Sequence, residues 1–118
     1  MIKGIGIDLI ELDRIKQSIK RNPRFVQRIL TKEERNYYER LNDRRQIEFL
    51  AGRFAAKEAF AKAAGTGIGT ISFQDIEVLP DQKGAPHIKV SSYSELSIWV
   101  AITHSEQYAV AQVILEER

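Results

Sequence analysis

Three residues of this chain have the types and spacing for phosphoryl chemistry: Asp8, Glu58 and Lys62. Ile47, Leu50, Ala51, Phe54, Ala55 and Ala61 recur at helical spacing and define a buried stripe, and Glu58 falls on that stripe. A carboxylate aimed into an apolar face costs several kcal/mol, on the order of the penalty for an unpaired buried charge, unless a cation meets it. Lys62 follows one turn later, so one reading is an intrahelical ion pair worth about 0.3–0.5 kcal/mol. That reading does not explain why the pair would sit on the apolar stripe while Arg53 and Lys57 are placed on the wet face. Asp8 ends a run with little side-chain bulk, a place suited to a hard-cation ligand, although a helix cap accounts for it equally well. Magnesium takes one or two protein carboxylates and fills its other positions with water and substrate phosphate. Two carboxylates beside a lysine therefore suit magnesium-assisted phosphoryl transfer.

Directly after this helix comes Gly65-Thr66-Gly67-Ile68-Gly69. Three residues without side chains let the backbone approach a ligand closely, so Gly65, Thr66 and Gly67 are candidate phosphate contacts; the alternative is a helix C-cap and loop. The pattern is neither a Walker loop nor a dinucleotide fingerprint. Thr103 and His104 fall at the tip of the last hairpin, where a lone histidine is a weaker signal.

The elements that must position these groups follow from periodicity and punctuation. Lys3 to Asp8 reads as a strand in which β-branched residues alternate with glycines, and Asp8 to Glu11 has the form of a capping box opening a first helix that fades near Arg21. Asn22-Pro23 is a stop and restart before a short second helix. Thr31 and Glu34 form a second capping box, opening a helix through Tyr37, Tyr38 and Leu41. The longest helix should run from about Arg44 to Ala64, capped by Asp43 and closed by Gly65. Ser72 to Leu79 and His87 to Ser91 are strand-like around an Asp81–Gly84 turn, and Ile98 to Thr103 with Tyr108 to Leu115 read as a final hairpin. Helices in the first half packed on an antiparallel sheet give an α+β fold, with residues 1–118 forming a single domain.

Composition narrows the function classes. No apolar run approaches the ~20 residues of a transmembrane helix, which excludes such a span and any membrane partner built on one. No secretory leader is visible, so a cytoplasmic location is expected. With no cysteine among the 118 residues there is neither a disulfide framework nor a thiol nucleophile. Arg14, Lys16, Lys20, Arg21, Arg24 and Arg28 fall within fifteen residues that contain no acid, although the formal net charge is only +2. Such a run is either a solvated helical face or a docking surface for nucleic acid, phosphates or an acidic protein.

The residues also resemble a known family, the phosphopantetheinyl transferases, and in particular their short, homotrimeric holo-acyl carrier protein synthase group. Gly4-Ile5-Gly6-Ile7-Asp8-Leu9-Ile10-Glu11 is similar to its first motif and Gly52-Arg53-Phe54-Ala55-Ala56-Lys57-Glu58-Ala59-Phe60-Ala61-Lys62-Ala63 to its signature helix. The likeness continues through Gly65 to Gly69, Ser72-Phe73-Gln74-Asp75-Ile76 and Ile102-Thr103-His104. The resemblance implies an enzyme of fatty acid biosynthesis that moves 4′-phosphopantetheine from coenzyme A to a serine of acyl carrier protein. By the same resemblance Asp8 and Glu58 hold magnesium, Lys62 lies against the coenzyme A phosphates, and His104 reaches coenzyme A bound mainly by a neighbouring chain of a homotrimer. Arg14, Arg21, Arg24, Phe25 and Arg28 become contacts for the acidic carrier protein. Apart from the resemblance, the attacking serine needs a base, and Glu58, acting through a metal-bound water, is the candidate. Two rivals keep different chemistry: a nucleic-acid-binding module, which leaves Glu58 unexplained, and a magnesium-dependent pyrophosphohydrolase with water as nucleophile.

Overall fold

A computed structural model describes residues 1–118. The chain runs β1 (Ile2–Glu11), α1 (Leu12–Arg21), α2 (Phe25–Ile29), α3 (Lys32–Glu39), α4 (Asp43–Ala64), β2 (Glu77–Pro80), β3 (Pro86–Lys89), β4 (Leu96–His104) and β5 (Tyr108–Glu117). β1, β5 and β4 form an antiparallel sheet in that order, and β2 and β3 form a separate two-stranded hairpin. The expected α+β architecture is therefore present, with α4 lying across the sheet against β1, β5 and β4.

Two glycines bring α4 close. A Cβ built on Gly4 would overlap the Ala63 carbonyl oxygen, and one on Gly6 would overlap that of Ala59. Only a strand lacking side chains on that face can approach a helix of alanines so tightly. Because side chains alternate along a strand, Asp8 shares the inner face with Gly4, Gly6 and buried Ile10, while Ile5, Ile7 and Leu9 point away. Ala109, Ala111, Val113 and Leu115 of β5 complete the inner face, packed with Leu50, Ala51, Ala55 and Phe60 in one core.

Several boundaries differ from those expected of the sequence. β1 continues to Glu11, so Asp8 is a strand residue and caps nothing. The helix after it begins at Leu12 with no side-chain cap, its first N–H donating instead to the Gln107 carbonyl at 2.8 Å. α4 starts one residue early, at Asp43, and neither Asn42 nor Asp43 supplies a side-chain cap. Gln46 donates to the Tyr38 carbonyl. Ser72 to Asp75 is coiled into a 3₁₀ turn rather than extended, because Ser72 and Asp75 cap each other. The Thr31–Glu34 capping box does form, although α3 stops at Glu39 instead of reaching Leu41. Gly65 closes α4 in the left-handed conformation at φ 76°.

Candidate functional site

Asp8 and Glu58 line one cleft of ≈ 320 Å³, walled by Leu9 and Ile10 of β1, Arg14, Ile15 and Ser18 of α1, Phe25 of α2 and Phe54 of α4. The strand end, the two N-terminal helices and the middle of α4 thus converge at the carboxylates. Burial raises the Glu58 pKa above the usual glutamate range and the neighbouring Asp8 charge raises it further, while Lys62 works in the opposite direction. A half-buried glutamate and the neighbouring carboxylate that opposes its ionisation form a donor set that a hard divalent cation would relieve. Oxygen ligands of this kind fit magnesium.

Lys62 does not form the intrahelical pair with Glu58 that the four-residue spacing allows. Its Nζ donates to Asp8 Oδ1 at 3.0 Å and to the Ile7 carbonyl at 3.0 Å, crossing from α4 to β1. Lys62 remains largely exposed, with a side-chain exposure of 54%. Its cation is held against Asp8 and open to solvent, and Lys62 itself does not line the cleft.

The neighbouring lysine corrects the sequence reading. Lys57, placed on the wet face by pattern, is fully buried, as is its partner Glu34 at 2.7 Å. Lys57 also donates to the Ile29 and Phe73 carbonyls, so all three of its N–H groups are used. Glu34 in turn accepts from Thr31 N and Val78 N. Desolvation lowers the Lys57 pKa and Glu34 opposes that shift. Arg53, also assigned to the wet face, lies with its guanidinium 4.0 Å from the Phe49 ring centroid. Its Nε donates to the Val78 carbonyl, and burial pulls its pKa down to about 10. The pattern failed because α4 is covered by β1, β5, β4, α1, α2, α3 and β2, so no broad wet face exists. The one available signal was Glu34 itself, an acid at the third position of a capping box whose partner could be a distant cation.

The remaining candidates are distributed unevenly. Arg14 and Phe25 reach the cleft. Arg14, Arg21, Arg24 and Arg28 are exposed and form no ion pairs, leaving a run of uncompensated cations along α1 and α2. Gly65, Thr66 and Gly67 are exposed, and a Cβ on either glycine would meet nothing within 4 Å. Their N–H groups are already spent on the helix end, Gly65 on the Lys62 carbonyl and Thr66 and Gly67 on that of Ala61. The loop thus offers an open surface but not a cradle of free amides. His104 is not brought to the carboxylates of its own chain. It ends β4, two strands from β1, with Nδ1 3.6 Å from the Glu48 carboxylate that also receives Arg44. A larger cavity of ≈ 800 Å³ between α1, Tyr38 and the start of α4 contains none of Asp8, Glu58 and Lys62 and has mixed charge, so it is size without the chemistry.

Comparison with known proteins places this geometry in context. The family described as the 4'-phosphopantetheinyl transferase superfamily matches residues 4–113. A holo-[acyl-carrier-protein] synthase of Oceanobacillus iheyensis is 55% identical over 118 residues, covering 100% of this chain and 99% of its own. One from Listeria innocua is 53% identical over 118 residues, covering 99% and 100%. The crystal structure of a holo-(acyl-carrier-protein) synthase from Bacillus anthracis, in complex with CoA (3',5'-ADP), superposes with a TM-score of 0.93 at 51% identity, covering 100% of this chain and 99% of that one.

Proposed function

This chain belongs to the 4'-phosphopantetheinyl transferase superfamily, and on that premise we propose that it transfers 4′-phosphopantetheine from coenzyme A to a serine of apo-acyl carrier protein. The products are holo-acyl carrier protein and adenosine 3′,5′-bisphosphate, a step that serves fatty acid biosynthesis and lipid metabolism in the cytoplasm. One observation carries the reading: the Asp8–Glu58 carboxylate pair and the unpaired Arg14 with Phe25 line the same cleft, so a phosphate-handling group and a surface for an acidic protein meet at one point.

Asp8 and Glu58 are the residues that would hold magnesium, whose contribution when bound is to neutralise pyrophosphate charge. Glu58, through an intervening water, takes up the proton of the carrier serine as the hydroxyl oxygen attacks the β-phosphorus. The bond from that phosphorus to the bridging pyrophosphate oxygen breaks, and the adenosine bisphosphate leaves with the electron pair. Lys62, held beside Asp8, faces the departing phosphate and stabilises its charge. Little covalent work falls to the protein, because positioning and charge compensation supply most of the acceleration in phosphoryl transfer.

The 118 residues act as one domain, and three copies assemble with active sites at their interfaces. The outer sheet face supports this assembly. Ile5, Ile7, Leu9 and Trp99 expose 60%, 57%, 59% and 58% of their surface, and the strand register aligns Ile5, Ile114 and Trp99 in one row. A contiguous apolar face of this kind on a small chain marks an interface. His104, remote from its own Asp8, would then serve the cleft of a neighbouring copy.

The deciding experiment is the intact mass of apo-acyl carrier protein after incubation with this protein, coenzyme A and magnesium. The expected result is a gain of one phosphopantetheine that a chelator abolishes. An unmodified carrier, verified as a substrate of another transferase, would refute the reading.

A further inference from the structure

The segment Ser72–Ile76 lies outside the carboxylate cleft, and the chemistry above gives it no task. Its contacts are nonetheless concentrated on α2. Gln74 Nε2 donates to the carbonyl oxygens of Gln27 at 2.7 Å, Leu30 at 2.8 Å and Arg28 at 3.3 Å. Lys57 takes the one between them, donating to Ile29 O at 2.7 Å, and also donates to Phe73 O at 3.0 Å. Four consecutive carbonyls at the end of α2 are therefore held by two side chains from elsewhere. The start of α2 is held from the same turn: the Phe54 ring lies between Phe73, with centroids 5.5 Å apart, and Phe25, at 6.3 Å. Ser72 and Asp75 cap each other and stiffen the turn that carries these groups.

α2 needs such support. It has five residues and no side-chain N-cap, far below the length at which a helix persists unaided. It also carries Phe25 into the cleft, with Arg24 at its N-cap and Arg28 in its last turn.

We propose that the Ser72–Ile76 turn is a clamp on α2, with Gln74 as the positioning residue that holds Phe25 and its flanking arginines in register with the carboxylates and so sets carrier-protein docking. The docking half rests on the transferase reading above; the clamp itself does not. Gln74 is exposed, so replacing it opens no core. Gln74→Glu keeps the size of the side chain but points an acceptor at three carbonyls, and Gln74→Ala removes the grip altogether.

Two readouts separate the halves. Hydrogen exchange on the substrate-free protein should show the amides of Arg28, Ile29 and Leu30 exchanging about tenfold faster in both variants, with α4 and β5 unchanged. Steady-state kinetics should show the KM for carrier protein rising about fivefold, as the docking-competent population falls, while kcat and the KM for coenzyme A stay within about twofold. Unchanged exchange in α2 would overturn the clamp. Faster exchange with an unmoved carrier KM would overturn the docking role, as would both KM values rising together with a lowered thermal midpoint, the signature of a merely structural residue. A wild-type protein that transfers nothing would sink the transferase reading and the docking half, leaving exchange to decide the clamp.

Discussion

Lys62 reaches across from α4 to Asp8 on β1, with Nζ and Oδ1 3.0 Å apart, and this leaves Glu58, one helical turn away, without an ion-pair partner. The same carboxylate that would hold magnesium is thus already neutralised by the cation that would meet the leaving phosphate. Lys62→Met should lower kcat by about 10²-fold, the scale of losing one charge-stabilising donor in the transition state. Because Asp8 loses its competing cation, the substrate-free variant should bind manganese, used as a probe, more tightly in calorimetry. Stability should fall by less than about 1 kcal/mol, since the lysine is exposed. Wild-type turnover in the variant would remove Lys62 from the chemistry.

Glu58 should make the protein less stable as its carboxyl ionises. Burial and Asp8 raise its pKa in the folded state, so its stabilising contribution is full below the ordinary glutamate range and is lost as pH rises through the raised folded value. Glu58→Gln keeps the neutral form at every pH. Its thermal midpoint near neutrality should exceed that of the wild type by about 1–3 °C, and the acid-to-neutral decline should flatten, while transfer is abolished. Thermal scans across that pH interval check the sign. A lower midpoint at neutral pH would mean that the ionised carboxylate is stabilising.

Removing Lys57 should be far more costly than removing Lys62. Lys57→Met strands a fully buried Glu34 and leaves the Ile29 and Phe73 carbonyls without their donor. The expected loss is about 3–5 kcal/mol in urea unfolding. A double-mutant cycle with Glu34→Gln should return a coupling energy of about 1–3 kcal/mol. Near-additivity would show that the two charges act independently.

The exposed sheet face should be the assembly surface. Wild-type protein should travel in light scattering at three times the 13.5 kDa chain mass. Ile7→Lys places a charge in the middle of the apolar face, where Ile7 pairs with Gln112 and points away from α4. The variant should shift to the single-chain mass and lose transfer in parallel, while its far-ultraviolet circular dichroism is retained. A trimer that survives this substitution would move the interface elsewhere.

Much of the fold was legible because its signals are local. The Thr31–Glu34 box, the left-handed Gly65 after α4, and the alternation through β4 and β5 each depend on residues within a few positions of one another. The glycine alternation in Gly4-Ile5-Gly6-Ile7 likewise announced a close approach, realised against Ala59 and Ala63. Asp8 was harder to place. A capping box and a strand residue followed by a helix look alike until the partner strand is known, and pairing with β5 through Glu11 decides for the strand.

The sequence by itself determined the family, the α+β order of elements and the residue types assembled around the cleft. Only the tertiary structure decided which charges meet. Lys57 finds Glu34 twenty-three positions away and Lys62 finds Asp8 fifty-four positions away, although helical spacing offered Lys62 a nearer partner. The reasons differ. Lys57 and Glu34 are enclosed by packing, where desolvation and the available hydrogen bonds select the partner. Exposed Lys62 is drawn to β1 by the Asp8 carboxylate and the Ile7 carbonyl, which the close approach of β1 to α4 brings within reach. Spacing along one helix contains neither.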